Sequence, residues 1–100
     1  MPETPNFDDS ALGAMSTRYV DVDALVWIPT AYEGIDMKIL LKDEARGLMT
    51  ALFRWQPGAR LPMHEHTDIE QSYVLEGSLS DHEGTCERGQ YAWRPAGSTH

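Results

Sequence analysis

The sequence predicts an all-β fold, either a sandwich or a small barrel of short strands. Short strand-like segments follow one another at even spacing, and glycine and proline residues stand between them. Such spacing is typical of small all-β domains. After residue 56 no segment has the apolar periodicity of an amphipathic helix, so strands are favoured there most clearly.

The bulk composition limits both the size and the partners of the chain. One hundred residues, 41% of them hydrophobic, are enough for one domain with a single core. The net charge of −8 argues against nucleic acid or an anionic membrane as a partner. No apolar run is long enough to span a membrane, and no signal peptide is visible at the start. Cys86 is the single cysteine, which excludes an intrachain disulfide and fits a cytoplasmic protein.

The first part of the chain is predicted to be an arm followed by extended segments. Residues 1–16 contain prolines and acidic residues, and we expect a flexible arm before a domain over 17–100. Arg18–Asp23 alternates polar and apolar residues, as a short strand does. Pro29 favours extended backbone at Ile28.

A hairpin is predicted for Ile35–Lys42 and Gly47–Trp55, which are joined by a charged turn. Both faces of the second strand are mostly apolar, so we expect it to be covered on both sides. The alternative is a helix over Glu44–Trp55, because Ala, Leu and Met favour helices. We prefer the strand because the segments downstream all have strand patterns.

The second half of the chain is predicted to consist of short strands separated by turns. These strands are Leu61–His66, Glu70–Glu76, Ser78–Asp81, Thr85–Glu87 and Gln90–Arg94. A tight turn at 95–97 then leads to His100, the last residue.

Two histidines and a glutamate lie close together in the sequence. His64 and His66 are separated by one residue, so on a strand both imidazoles lie on the same face. Glu70 follows after a segment long enough to turn into the next strand. Two neutral imidazoles and a carboxylate on one concave wall suit a divalent transition metal. The residues therefore predict a metal site in this part of the chain.

Two separated motifs carry a resemblance to the cupin superfamily. The first, G-x5-H-x-H-x3-E-x6-G, is complete at Gly58, His64, His66, Glu70 and Gly77. The second, G-x5-P-x-G-x2-H, is complete at Gly89, Pro95, Gly97 and His100. The resemblance implies an all-β cupin fold, a small jelly-roll barrel. Cupin barrels usually continue beyond the last histidine, so we expect the sequence to be a piece of a longer protein.

Within the superfamily, the chain looks most like the ChrR-type cupins. This branch is similar to two kinds of protein. One kind consists of small Fe(II) dioxygenases that cleave a carbon–carbon bond in acetylacetone or dihydroxyacetophenone-like ketones. The other kind is the zinc-holding C-terminal domain of ChrR-type anti-sigma factors. Their separate sigma-binding zinc domain has no counterpart in the arm, because no cysteine or histidine precedes residue 64.

The resemblance implies a ligand set of His64, His66, Glu70 and His100 for one divalent ion per chain. Fe(II) is favoured, and Zn(II), Mn(II) and Ni(II) are the alternatives. Three imidazoles and a carboxylate leave up to two positions open on an octahedral ion, whereas they close a tetrahedral zinc site. Some ketone-cleaving relatives use three histidines only, so the alternative for Glu70 is a hydrogen-bond acceptor behind the ligands.

The expected function is a metal-dependent dioxygenase that cleaves a carbon–carbon bond of a small ketone with O2. The alternative is a non-catalytic zinc-binding module that senses or binds a small ligand, and a third possibility is Lewis-acid chemistry such as isomerisation. No catalytic residue beyond the metal ligands is predicted. We expect a homodimer, because an uncovered edge strand is a liability and cupins of this size commonly pair their edges.

Other polar residues near the motifs are expected to be surface groups. Asp81 is expected as an edge charge, with an inward orientation as the alternative, and His82 is expected as a solvated turn residue. Three arginines could hold a substrate carboxylate or enolate, although surface placement is favoured for each of them: Arg54, Arg60 and Arg94.

Overall fold

The computed structural model describes residues 17–64 and 68–100. The predicted arm over 1–16 lies outside the described residues, and the predicted domain boundary stays a prediction. The chain divides into two compact units, Met1–Leu61 and Pro62–His100. Within the described part, one 3₁₀ turn is the sole helical element and all sheets are antiparallel. The all-β prediction is therefore confirmed, while closure into a barrel stays a prediction.

The first unit contains a three-stranded sheet. Its strands are β1 (Ile28–Pro29), β2 (Ile35–Asp43) and β3 (Leu48–Trp55), and they lie in the order β1-β2-β3. The β2–β3 ladder confirms the predicted hairpin, and the helix alternative for this segment is wrong. The side chain of Asp43 accepts a hydrogen bond from the backbone N–H of Arg46 at 3.2 Å, which stabilises the charged turn between the two strands.

The segment predicted as a strand over Arg18–Asp23 is not a strand. The chain forms a 3₁₀ turn over Val22–Ala24 instead, because the carbonyl of Val22 accepts the N–H of Leu25 at 3.2 Å. The same carbonyl accepts the ammonium of Lys38 at 2.9 Å. Lys38 lies on β2 and is only 6% exposed, and its hydrogen bond connects the 3₁₀ turn to this strand.

An aromatic ring between two cations lies beside this contact. The Nζ atom of Lys38 lies 4.8 Å from the ring centroid of Trp27, and the guanidinium carbon of Arg54 lies 4.3 Å from it. Arg54 also pairs with Asp36 across the strands at 3.0 Å. Cations over an indole face are attracted by its quadrupole, so Trp27 links the segment before β1 to both long strands.

The core of the first unit is small. Three apolar side chains of its described residues are buried: Leu25, Ile35 and Ile39. Met49 and Phe53 on β3 stay 55% and 47% exposed, so the expectation that β3 is covered on both sides is wrong. The three buried residues lie on or before β2, so the core follows the central strand of the sheet rather than the edge strand β3.

The second unit contains two pairs of antiparallel strands, of which one is a hairpin. Strands β4 (Glu70–Tyr73) and β7 (Tyr91–Arg94) pair with each other, as do β5 (Ser78–Asp81) and β6 (Gly84–Glu87). Four of the five strands predicted for this part of the chain are confirmed, although β4 ends three residues early, at Tyr73. The chain bends soon afterwards, where Gly77 has a φ of 71°.

The predicted strand over Leu61–His66 is not regular. Leu61–His64 does not form a regular strand, and residues 65–66 lie outside the described residues. Pro62 has no N–H to donate to a ladder, which is a physical reason for the irregular start.

The pairing of β4 with β7 creates one half-buried face and one exposed face. Glu70 lies directly opposite Arg94 in the register, and both side chains are half-buried. Along each strand, half-buried and exposed side chains alternate, because successive side chains of a strand point to opposite faces. This register positions the groups of the candidate site.

Candidate metal centre

His64 and His100 are held together by their backbones. The N–H of His64 donates to the carbonyl of His100 at 2.8 Å, and the N–H of His100 donates to the carbonyl of His64 at 2.9 Å. Such an exchange is typical of a hydrogen-bonded antiparallel pair. The two imidazole centroids lie 4.6 Å apart, with the ring planes inclined at 52°. Two histidines that are distant in sequence are thereby neighbours.

A tight turn brings the chain to His100. The N–H of Ser98 donates to the carbonyl of Pro95 at 3.2 Å, and Gly97 has a φ of 84°. Glycine adopts this left-handed conformation at little cost because it lacks a Cβ. The predicted turn is therefore confirmed.

Three of the four predicted metal ligands converge. The ligand atoms of His64, Glu70 and His100 all lie within 4.8 Å of one another. Within this group, Nε2 of His100 lies 3.8 Å from Oε1 of Glu70. His66 lies outside the described residues, so its place in the ligand set stays a prediction.

A hydrogen bond defines which nitrogen of His64 is available to a metal. Nδ1 lies 2.9 Å from the carbonyl oxygen of Pro62. A carbonyl only accepts, so Nδ1 carries the proton and donates it. Nε2 then has the lone pair that a metal needs. Hydrogen bonds of this kind to the second nitrogen orient the histidine ligands of metal sites.

Arg94 lies inside the candidate site rather than on the surface. Its side chain is 21% exposed, and its Nη2 contacts Asp81 at 2.5 Å and its Nη1 contacts Glu83 at 2.6 Å. Its Nε lies 3.7 Å from Oε1 of Glu70. The expected surface placement of Arg94 is wrong, because the β4–β7 register turns this side chain to the face of Glu70. Arg54, by contrast, is exposed as expected.

Asp81 was expected at an edge, and this expectation is also wrong. Its side chain is only 19% exposed, and its Oδ2 lies 3.4 Å from Nδ1 of His100. Burial raises the pKa of Asp81, but the N–H groups of Glu83 and Gly84 and the charge of Arg94 hold it below its ordinary value. Asp81 is therefore an anion at neutral pH.

The sequence contains signals from which the positions of both Asp81 and Arg94 in the candidate site could have been predicted. Asp81 begins the turn D-H-E-G, and an aspartate at that position commonly accepts backbone N–H groups, which fixes its side chain. Arg94 ends a strand whose alternation puts it on the face of Ala92 rather than on that of Trp93. His82, in the same turn, is exposed as expected.

The described residues of the cluster suit a divalent cation. The three carboxylates of Glu70, Asp81 and Glu83 face the one guanidinium of Arg94, which leaves two negative charges for an ion to balance. The nitrogen and oxygen donors are those that Zn, Fe and Ni accept. The 3.8 Å between His100 and Glu70 is below the roughly 4.2 Å that separates two donors on opposite sides of an ion. One ion can therefore contact both side chains.

The family model of the ChrR Cupin-like domain matches residues 15–100. The chain belongs to this family. Membership confirms the resemblance to the cupin superfamily and to its ChrR-type branch. A metal site made of histidines and a glutamate is consistent with a cupin domain. Neither a curated protein nor a solved structure matches the chain.

The family membership leaves several finer expectations as predictions. These are the dioxygenase activity, the identity of the metal, the homodimer and the cytoplasmic location. In the part of the chain that the structure describes, no helix has the length and apolar character needed to cross a membrane.

Proposed function

We propose that this cupin domain binds one divalent metal ion through His64, Glu70 and His100, with His66 as the fourth ligand. The convergence of three ligand atoms within 4.8 Å is the observation that supports this proposal most strongly. The excess of negative charge around Arg94 supports it independently, since a divalent ion would balance that charge.

The activity that we propose for this centre is dioxygenase cleavage of a carbon–carbon bond in a small β-diketone or aryl hydroxyketone. Three histidines and one carboxylate leave up to two positions open on an octahedral Fe(II) ion, where a chelating substrate or O2 could bind. Such an ion, when bound, supplies Lewis acidity toward an enolised ketone and electron exchange with O2. One carbon–carbon bond breaks and both oxygen atoms enter the products, so no separate reductant is needed.

The contribution of the chain itself is to hold the donors in place. The paired backbones of His64 and His100 fix their Cα positions, and the carbonyl of Pro62 orients the ring of His64. Glu70 is held on a strand opposite Arg94. A donor on a paired strand, such as Glu70, is positioned more accurately than a donor on a loop.

A second candidate function is a zinc-holding regulatory module, and the family match favours it. The family is described by the name of ChrR, and the resemblance above includes anti-sigma factors whose cupin domain holds zinc. Four donors would close a tetrahedral zinc site and leave no position for a substrate. The two functions therefore differ in the metal and in its open positions.

The first experiment is elemental analysis of the purified protein, with metals counted per chain. We expect about one divalent ion per chain in the wild type and none in the double variant His64→Ala/His66→Ala. The matched control is His82→Ala, which removes an exposed histidine from a turn and should keep the full metal content. A double variant with wild-type metal content would show that the site lies elsewhere.

The second experiment separates the two functions. Iron near one per chain, with oxygen uptake on addition of β-diketones or aryl hydroxyketones, would support the dioxygenase. Zinc near one per chain that survives a chelator would support the regulatory module. An iron-loaded protein that consumes no oxygen with any ketone of such a panel would count against the dioxygenase.

A further inference from the structure

We propose that Asp81 and Arg94 are positioning residues of the metal centre. Arg94 holds the carboxylate of Asp81 against Nδ1 of His100, so that Nε2 of His100 is presented to the metal. The inference rests on the proposed function for the metal itself. The orientation of His100, however, is a property of the metal-free chain and is tested separately.

The carboxylate of Asp81 has its orientation fixed by the turn that follows β5. Its Oδ1 accepts the N–H of Glu83 at 2.8 Å and the N–H of Gly84 at 3.1 Å. With one oxygen used by the turn, the other oxygen, Oδ2, is directed to Arg94 and His100. The aspartate is therefore part of the backbone turn and of the side-chain cluster at once.

Arg94 connects this carboxylate to two others. Its Nη2 contacts Asp81 at 2.5 Å, its Nη1 contacts Glu83 at 2.6 Å, and its Nε lies 3.7 Å from Glu70. The three acids come from β5, the turn after it and β4. The guanidinium is planar and its nitrogens have a fixed geometry, so contacts on all three sides restrict its rotation. A lysine would offer a single ammonium in place of this fork.

The two nitrogens of His100 face two different carboxylates. Nδ1 lies 3.4 Å from Oδ2 of Asp81, and Nε2 lies 3.8 Å from Oε1 of Glu70. A carboxylate at the second nitrogen of a metal-binding histidine fixes the ring orientation and raises its basicity as a ligand. Asp81 is anchored by the turn and by Arg94, whereas Glu70 belongs to the cluster of possible ligands.

At His64 an oxygen also lies beside Nδ1, at a shorter distance than the 3.4 Å between Asp81 and His100. Nδ1 of His64 donates to the carbonyl of Pro62 at 2.9 Å, which leaves Nε2 to bind a metal. Both described histidines of the cluster therefore have an oxygen acceptor beside Nδ1. The acceptor is a backbone carbonyl at His64 and an anchored carboxylate at His100. This shared feature points to Nε2 coordination by both rings.

The first test measures the tautomer of His100 by nitrogen-15 NMR of the metal-free protein, at about pH 9, where an ordinary imidazole is neutral. We expect the proton on Nδ1 in the wild type and on Nε2 in Asp81→Asn. Asparagine keeps an oxygen for the turn N–H groups but loses the charge and the second acceptor oxygen. A wild-type His100 with its proton on Nε2 would overturn the proposal, whether or not the protein binds metal.

The second test measures zinc affinity by competition with a chromophoric chelator. We expect Asp81→Asn and Arg94→Gln to weaken binding about 10- to 100-fold. The matched controls are Asp36→Asn and Arg54→Gln, which break an arginine–aspartate pair in the other unit. The zinc affinity of both controls should stay within about twofold of that of the wild type. The absorption spectrum of bound Co(II) should change in the first two variants only.

Folding and charge are controlled in the same series. Circular dichroism checks that each variant is folded, and Arg94→Lys keeps the charge while removing the fork. We expect Arg94→Lys to weaken zinc binding as Arg94→Gln does, because one ammonium does not hold three carboxylates. Affinities within twofold of the wild type in all three site variants would overturn the proposal. A wild type that binds no metal would instead refute the proposed function, and the tautomer would still decide the role of Asp81.

Discussion

Replacement of Glu70 by glutamine separates its role in metal binding from its role in stability. Glutamine has nearly the same shape as glutamate but no charge. In the structure Glu70 lies 3.8 Å from Nε2 of His100 and 3.7 Å from Nε of Arg94. The substitution therefore weakens a possible metal ligand and an ion pair at the same time.

The two effects differ greatly in size. The side chain of Glu70 is 31% exposed and its contact with Arg94 is long, so the ion pair contributes at most about 1 kcal/mol to the free energy of unfolding. Loss of a negatively charged ligand should reduce metal affinity more than 100-fold, or about 2.8 kcal/mol of binding free energy. We therefore expect Glu70→Gln to unfold almost as the metal-free wild type does while binding zinc far more weakly.

The assay is a zinc competition titration beside urea unfolding of the metal-free protein. The matched control is Glu87→Gln, which removes an exposed carboxylate on β6 that is not one of the carboxylates around Arg94 and does not belong to the ligand cluster. This control should keep zinc affinity within about threefold of the wild type. A loss of 10- to 100-fold in Glu70→Gln would assign Glu70 to orienting a ligand. A loss of less than about threefold would refute our reasoning about this carboxylate.

Two further predictions concern the first unit. Trp27→Ala removes a half-buried ring with Lys38 at 4.8 Å and Arg54 at 4.3 Å, so we expect urea unfolding to show a loss of about 3 kcal/mol. The hydrogen bond from Arg46 keeps the pKa of Asp43 below its ordinary value, so its stabilising contribution is present above about pH 4 and is lost as the pH falls through the lowered pKa. Urea unfolding at several pH values should show a smaller loss of stability on acidification in Asp43→Asn than in the wild type.

Each of these predictions has a control in the same unit. Tyr19→Ala removes an aromatic side chain that is 77% exposed and should change the free energy of unfolding by less than about 0.5 kcal/mol. Glu44→Gln removes an exposed carboxylate whose partner is Lys42 and should leave the acid dependence almost unchanged. Equal destabilisation by Trp27→Ala and Tyr19→Ala, or equal acid sensitivity of Asp43→Asn and the wild type, would contradict the structural reasoning.

The sequence alone was sufficient where the determining interactions are local. Alternation along β4 places Glu70 and Ser72 on one face, because successive side chains of a strand point to opposite sides. The glycine at position 97 predicted the turn before His100, because a positive φ is easy only for a residue without a Cβ. The spacing of the histidines and Glu70 predicted which side chains could bind a metal.

Local pattern was insufficient where a distant contact competes with it. The alternation of Arg18–Asp23 suggested a strand, but the carbonyl of Val22 binds Leu25 and the ammonium of Lys38, which favours a 3₁₀ turn. The apolar residues on both faces of β3 suggested burial, but Phe53 remains half exposed. The hydrophobic pattern of a strand indicates which of its faces favours burial. How far that face is buried depends on which other elements pack against it.

The sequence by itself determined the all-β class and the β2–β3 hairpin, because turn chemistry and side-chain alternation act over a few residues. The resemblance to the two cupin motifs supplied the full set of candidate ligands. The tertiary structure decided that His64 pairs with His100 and that Asp81 and Arg94 lie inside the cluster. These contacts join residues that are far apart in the chain. They depend on strand register and on the closure of the loops between strands, and neither is encoded in the spacing of any single motif.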